Sequence, residues 1–482
     1  MVVALTDWDT PETPAWWLLE LGRAMAARSK VLSEYLDYYE GNHPLPQGLQ
    51  NDQAAIDAFK EFQRKARTNI CESVVQATVS RQLAIGVTDR DGNGDREAWT
   101  WWQQNRMDSR QKKLFRQAGS SGIGYLMVGP HPRDARRPLI TLEHPDEVIH
   151  SIDPATDEVD AALKARVDHR EGRGKALLFV GDKLYRFRTT GSRAVKKLSW
   201  THTAWEQVDD EEVNPLGKPP VVQFERDADL GKDPRPDFWA AKDTQDRINM
   251  SILNRMTIER YAANPQAYAT GAEVKKDFDP ITGLEIPQNP FRRGADNVWI
   301  NENPEGKFGH IPAADMLNVI KAHQFDFQVA FMQTRTPAYL LPGGDLINVS
   351  TDTVMALENA HVAKVNDLNT GYGEGIERTL SLAAAVAGVE RDFTEHSVRW
   401  RDPRQLNPAV VADMGTKKRA MGYPLTMVAE DMGESVQRVE RLRVEAAAEA
   451  LFNSPEQPQS GQQQLPLGPL QVRVPDDLQG LV

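Results

Sequence analysis

Apolar positions in residues 12–40 fall at helical spacing, with Trp16, Trp17, Leu21, Met25, Leu32, Leu36 and Tyr39 on one side. The run stops at Glu40-Gly41-Asn42-His43-Pro44, a glycine/proline terminator. The same period predicts a helix over 54–83, carried by Ile56, Phe59, Phe62, Ile70, Val74, Val75 and Val79, with Lys60, Arg64, Lys65 and Arg67 turned to water. A third is predicted over 96–117, through Trp99, Trp101, Trp102, Met107, Leu114 and Phe115. The pattern then shortens to runs at 120–129, 139–142, 148–152, 161–168, 176–180, 183–188 and 203–208, separated by turn pairs such as Asp153-Pro154 and Gly181-Asp182. These read as strands. Residues up to about 230 therefore read as one α+β domain, closed by the stretch from Asn214-Pro215 to Phe224.

Helical spacing returns over 238–263, through Trp239, Ile248, Ile252, Leu253, Met256 and Tyr261, with Asp243, Asp246, Asn249, Arg255, Glu259 and Arg260 on the other faces. At 1.5 Å per residue this helix is roughly 40 Å long, and Asn264-Pro265 ends it. Prolines at 265, 280, 287, 290, 304 and 312, glycines and short strand-like pieces such as Asn297–Ile300 make residues 265–312 a small module. A helix over 313–333 follows, so the module is clasped between two antiparallel helices. Residues 334–349 cannot be helical through Pro337 and Pro342, and Gly343-Gly344 gives them mobility. Ser350 is a good N-cap with Asp352 near the positive end of the dipole, and Val354, Leu357, His361, Val365, Leu368, Ile376 and Leu380 continue that helix towards Ala387. Residues 409–450 are helical, broken at Gly422-Tyr423-Pro424 and at Gly433. From Asn453 the Gln, Pro and Ser content predicts a disordered tail.

Length and charge narrow the function. At 482 residues and 54.0 kDa the chain exceeds one ordinary core, and 40% hydrophobic residues with 11 Trp describe a folded protein. A net charge of -12 argues against a surface built to grip phosphates. It suits an acidic wall past which a polyanion slides without sticking. Cys71 is the only cysteine, so neither an intrachain disulfide nor a cysteine zinc site is possible, and a reducing compartment is expected. The amino-terminal residues have neither the basic region nor the apolar core of a secretory signal. The longest apolar run, 380–389, is about half the roughly 20 residues a bilayer needs, so no membrane insertion is expected.

The order and spacing of several segments carry a resemblance: Tyr38-Tyr39-Glu40-Gly41, the stretch Asn214-Pro215-Leu216-Gly217-Lys218-Pro219-Pro220-Val221-Val222, Asp246-Arg247-Ile248-Asn249, Thr336-Pro337 and the Ser350 helix. Over about residues 15–450 the chain resembles the portal proteins of tailed bacteriophages, the head-to-tail connectors of siphophages. The resemblance implies a homo-oligomeric ring, usually of twelve subunits, at one capsid vertex of the virion, assembled in the host cytoplasm. Double-stranded DNA would enter and leave through it. Large terminase would dock on it, then head-completion and tail adaptor proteins, with the major capsid and scaffolding proteins around it. In that architecture residues 1–237 form a mixed α/β wing, 238–263 and 313–333 a two-helix stem, and 264–312 a small α/β clip. Residues 334–349 are the tunnel loop, 350–403 a long kinked wing helix and its return, and 404–452 a helical crown. The other readings are another capsid-associated structural or adaptor protein, and a nucleic-acid-processing enzyme.

Candidate chemistry is sparse. Gly371-Tyr372-Gly373-Glu374-Gly375 lies inside a helical pattern with no strand before it, which favours a kink over a phosphate loop. The glycines of 119–129 precede a strand instead of following one. No P-loop and no H-E-x-x-H motif occurs, and His144 and His150 flank a Pro-Asp turn as structural residues. No catalytic residue, metal site or cofactor is therefore expected, and the chain reads as non-enzymatic. In the tunnel loop the resemblance points to Tyr339, Leu340, Leu341, Asp345, Leu346 and Ile347 as DNA-channel candidates. The leucine and isoleucine pairs either pack on a neighbouring helix or close on DNA as apolar knuckles, and Asp345 either faces DNA or keeps the loop solvated. In the clip, Phe278, Phe291, Arg292, Arg293 and Trp299 are candidates for terminase and adaptor docking.

Overall fold

The computed structural model describes residues 2–45, 53–191, 194–226, 230–263, 267–271, 277–278, 280–286, 305–310, 316–337, 339, 351–404 and 408–452. The chain divides into two units, Met1–Val411 and Ala412–Val482. The first begins with β1 (Val2–Ala4), α1 (Pro14–Glu40), α2 (Gln53–Ala66), α3 (Cys71–Val79), β2 (Ala84–Thr88), α4 (Arg96–Gln104) and α5 (Met107–Ser121). Strands follow: β3 (Ile123–His131), β4 (Asp134–Glu143), β5 (Val148–Ile152), β6 (Val159–Asp168), β7 (Arg173–Val180), β8 (Lys183–Thr189), β9 (Trp205–Val213) and β10 (Val221–Glu225). A short 3-10 turn, Trp239–Ala241, leads into α6 (Lys242–Ala263). Next come β11 (Ala267–Thr270), β12 (Asp277–Phe278), β13 (Glu285–Ile286), β14 (Lys307–His310), α7 (Met316–Gln333), α8 (Thr351–Ala387) and β15 (Ser397–Trp400). The last helices are α9 (Pro408–Ala420), α10 (Leu425–Asp431) and α11 (Val436–Phe452). The α+β class read from the sequence holds.

The largest sheet has six strands in the order β1-β9-β8-β7-β6-β5. Period-2 alternation puts Ala161, Leu163 and Ala165 of β6, Ala176 and Leu178 of β7 and Phe187 of β8 on one buried face, where Leu18, Leu21 and Met25 of α1 cover them. Across the strands, ion pairs tie Lys183 to Glu211 at 3.0 Å and Arg186 to Glu212 at 2.9 Å. Helix α1 comes close to this layer because residue 22 is glycine: a Cβ there would overlap the Trp200 ring.

A three-stranded sheet, β10-β3-β4, forms the second layer. Its main core joins Leu126, Val128, Ile140 and Phe224 to Phe115 of α5 and to Tyr372, Ile376 and Leu380 of α8. Phe115 and Tyr372 stack with ring centroids 5.0 Å apart. The Gly371–Gly375 run lies in uninterrupted helix. Gly375 has a packing reason, since a Cβ there would sit 2.8 Å from the Phe224 ring, whereas Gly371 faces open space.

Two expected helices are divided. The 54–83 stretch breaks between Ala66 and Cys71, where polar side chains from elsewhere replace helical bonds. Asn249 Oδ1 accepts from the Thr68 amide, Gln245 Oε1 accepts from the Ile70 amide, and Asn69 Oδ1 accepts from the Glu72 amide. It then ends at Val79, and Ala84–Thr88 becomes a strand paired with β15. The 96–117 stretch breaks at Asn105-Arg106, with Arg106 in the left-handed region at φ 57. Asn105 makes the break: its amide donates to the carbonyls of Trp101 and Pro138, and its Oδ1 accepts from the Ile140 amide. Strands β2 and β15, and β1 at the edge of the large sheet, are absent from the sequence reading. The strand-like piece 297–300, Ser350 and the tail from Asn453 lie outside the described residues.

In the second unit, Val428 and Ala429 of α10 and Val439 of α11 are buried. Gly415 of α9 meets Met432, whose sulfur would be 3.0 Å from a Cβ at that position. The expected breaks at 422–424 and 433 separate α9, α10 and α11.

Candidate functional site

Helices α6 and α7 run antiparallel: Thr244 donates to Gln333 Oε1 at 3.0 Å and Arg247 pairs with Asp326 at 2.9 Å. Ile248 and Ala330 bury their contact together with Ile70 and Ala241. The root of α6 is held by a polar plug. Tyr38 donates to Asp246 at 2.7 Å, and Asn249, with its oxygen taken by the Thr68 amide, turns its NH2 group to His43 Nε2. His43 must accept there, which places its proton on Nδ1. Burial lowers its pKa, the nearby Arg67 charge lowers it further, and the ring stays neutral. Along α7, Leu317, Phe325 and Met332 are exposed at spacings of eight and seven residues, a stripe along one side of the helix.

The insert between these helices is closed at its ends by β11 and β14, with Ala267 opposite His310 and Thr270 opposite Lys307. Within it β12 and β13 pair antiparallel. Phe278, one of the expected docking residues, is exposed, as are Ile281 and Leu284 beside it. Phe291, Arg292, Arg293 and Trp299 lie outside the described residues.

Beyond α7 the chain is latched onto α8. Arg335 takes a left-handed conformation at φ 51, which turns the backbone out of the helix. Thr334 donates to the Ala330 carbonyl at 3.0 Å, and its hydroxyl lies 2.8 Å from that of Thr336. Three α8 side chains at three-residue spacing then grip the segment. Lys364 donates to the Thr334 carbonyl at 3.0 Å, His361 Nδ1 donates to the Arg335 carbonyl at 2.8 Å, and Glu358 accepts from the Tyr339 hydroxyl at 2.7 Å. Arg81, at the end of α3, completes the site with bonds of 2.9 Å to Glu358 and 2.6 Å to the Tyr339 oxygen.

The electrostatics favour this arrangement. Burial alone would raise the Glu358 pKa, but the hydrogen bonds from Arg81 and Tyr339 and the Arg81 charge outweigh it and hold the carboxyl below the usual glutamate range. Tyr339 is pushed up to about 12 by burial and by its bond to Glu358. His361 is lowered, chiefly by burial, and neutral imidazole with a proton on Nδ1 suits its bond to Arg335. Next to this latch Arg226 and Asp237 form a fully buried pair, with Arg226 Nε donating to Asp237 Oδ1 at 2.6 Å. Tyr372 lies 3.2 Å from Arg226, and Lys364 reaches Asp237 at 3.2 Å while also holding Thr334.

Of the six channel candidates, Tyr339 is half-buried with its hydroxyl bound as above, and Leu340, Leu341, Asp345, Leu346 and Ile347 lie outside the described residues. Sequence reasoning missed Arg81, Glu358, Lys364, Arg226 and Asp237. A faint signal existed in Glu358, His361 and Lys364, three polar residues spaced to share one face of a largely apolar helix. Among the described residues no group of His, Cys, Asp and Glu is arranged to hold a metal, and no helix is long and apolar enough to cross a membrane. His150 packs edge-on against Tyr125, and burial lowers its pKa to about 4. The Cys71 thiol is buried and pushed up to about 12 by that burial, which leaves no reactive thiolate.

Among curated proteins none matches this chain. Solved structures similar to it include the virion of a native gene transfer agent particle, at 10% identity and a TM-score of 0.41, over 84% of this chain and 99% of that one. The neck of the native particle, computed with C12 symmetry, is similar at 10% identity and a TM-score of 0.40, over 83% of this chain and 99% of that one. A family model described as phage portal protein, SPP1 Gp6-like, matches residues 24–434, which takes in both expected stem helices, their insert and the latched segment. With that match running through nearly all the described elements, the chain belongs to the SPP1 Gp6-like family of phage portal proteins.

Proposed function

We propose that this portal protein forms a ring, with twelve subunits, at one vertex of the capsid, and that double-stranded DNA is packaged and ejected through its centre. The family match over residues 24–434 is the observation that carries this reading. In it residues 1–237 form the wing, 238–263 and 313–333 the stem, 264–312 the clip, 334–349 the tunnel loop, 350–403 the long helix and its return, and 404–452 the crown. The exposed stripe of Leu317, Phe325 and Met332 supports assembly, because apolar side chains in a row along one helix favour a neighbouring subunit over water. Exposed Phe278, Ile281 and Leu284 support the clip as a docking surface, with Phe291, Arg292, Arg293 and Trp299 beside them in sequence. Terminase would bind there during packaging and head-completion proteins afterwards.

The latch gives the tunnel loop a fixed root. Tyr339 anchors it, and Leu340, Leu341, Asp345, Leu346 and Ile347 extend from that anchor as apolar and acidic contacts for sliding DNA. A lysine in their place would add a salt-dependent phosphate contact at each subunit. The role is structural, with the energy of translocation supplied by the terminase ATPase. Electron microscopy of the purified full chain tests the reading: a turbine-shaped ring with a central hole supports it, and class averages give the subunit number. A compact monomer at every concentration would overturn it. Asp345→Lys should slow packaging in an assembled particle, and a normal DNA yield would remove the loop from the mechanism.

A further inference from the structure

We propose that residues 465–482 fold back onto a methionine-rich face of the small helical unit from which they extend. That unit, Ala412–Val482, exposes Met414, Met421, Tyr423, Leu425, Met427 and Met432. Against these, its helices bury little beyond Val428, Ala429 and Val439, so the face is too apolar for its own small core. Methionine side chains adapt to irregular ligands and are over-used at surfaces that receive peptides.

The occupant is argued from the chain itself. Residues 453–464 contain no Leu, Val, Ile, Met or aromatic side chain, whereas Leu465, Leu467, Leu470, Val472, Val474 and Leu478 follow in close succession. A polar spacer leading to an apolar stretch is the pattern of a tether with a docking segment. Pro466, Pro469 and Pro475 exclude a helix, so the segment binds extended. A flexible tether over 453–464 spans about 20 Å, longer than the roughly 10 Å of α10. Charge agrees: Asp476 and Asp477 would meet the basic last turn of α9, Lys417, Lys418 and Arg419, directly before Met421. Lys417 and Lys418 hold only the surface carboxylates of Asp413 and Asp431, pairs that yield readily to a competing acid.

Peroxide oxidation of methionines in the full chain, read by peptide mass spectrometry, tests this. Truncation after Gln464 should speed oxidation of Met421, Met427 and Met432 about tenfold, the factor expected if docking contributes about 1.4 kcal/mol. A synthetic 465–482 peptide should restore the slow rate, and Leu470→Asp with Leu478→Asp should mimic the truncation. Met25 and Met107, buried in the other unit, report whether the variants remain folded. Equal rates with and without the segment overturn the proposal. If the truncated chain is also protected and loses that protection on dilution, the face belongs to a second copy, which overturns it as well.

Discussion

Arg81 and Glu358 meet at 2.9 Å with side chains only 5% and 10% exposed, and the carboxylate oxygen that takes the guanidinium also takes the Tyr339 hydroxyl. A buried charge left without its partner is costly, while the intact pair offsets its own desolvation. Glu358→Ala should therefore destabilise the fold by about 3–5 kcal/mol, and Tyr339→Phe by about 1 kcal/mol. Urea unfolding gives both values. Arg81→Met combined with Glu358→Leu should recover much of the single-variant loss, and additivity of the two losses would show that the pair does not act as a unit.

The glycines of α8 separate two effects of the same substitution. Gly375→Ala places a methyl 2.8 Å from the Phe224 ring and should cost about 1–3 kcal/mol by overpacking. Gly371→Ala meets nothing and should stabilise by about 0.5–1 kcal/mol, since glycine is a poor residue inside a helix. Thermal unfolding of the two variants should move in opposite directions.

His150 makes the first unit acid-sensitive. Its folded pKa of about 4 lies below the ordinary 6.5, chiefly through burial and then through the Arg28 charge. The unfolded chain therefore binds a proton first as pH falls. Stability from this group is complete above pH 6.5 and declines towards pH 4, by up to about 3 kcal/mol. His150→Phe keeps an aromatic edge against Tyr125 and should flatten that part of the stability profile.

A second acid limb lies lower. Burial works against the charged forms of Asp237 and Glu358, yet Arg226 and Lys364 hold the first below 3.8, and Arg81 with Tyr339 holds the second below 4.5. Their contribution is present above those ordinary values and is lost as pH falls through the lower folded ones. Asp237→Asn should remove part of this limb while leaving the His150 limb intact, as pH-dependent denaturation would reveal.

Much of the architecture was legible in one dimension because local periodicity encodes it. The strand over 148–152, the helix ending at Glu40 and the breaks within 409–450 depend on side chains within a few residues of one another. The latch was not legible. Glu358 reads as one more polar residue on a long helix until Arg81 and Tyr339, from distant parts of the chain, are seen to share its oxygen.

By itself the sequence determined the α+β class, the helix-insert-helix order between 238 and 333, the lack of nucleotide and metal motifs, and the family resemblance. Only the tertiary structure decided where helices stop. The breaks at 67–70 and 105–106 exist because Gln245 and Asn249 satisfy distant amides and because Asn105 reaches across to β4. A buried amide must find a partner, and when that partner is a side chain far along the chain, no local pattern announces it.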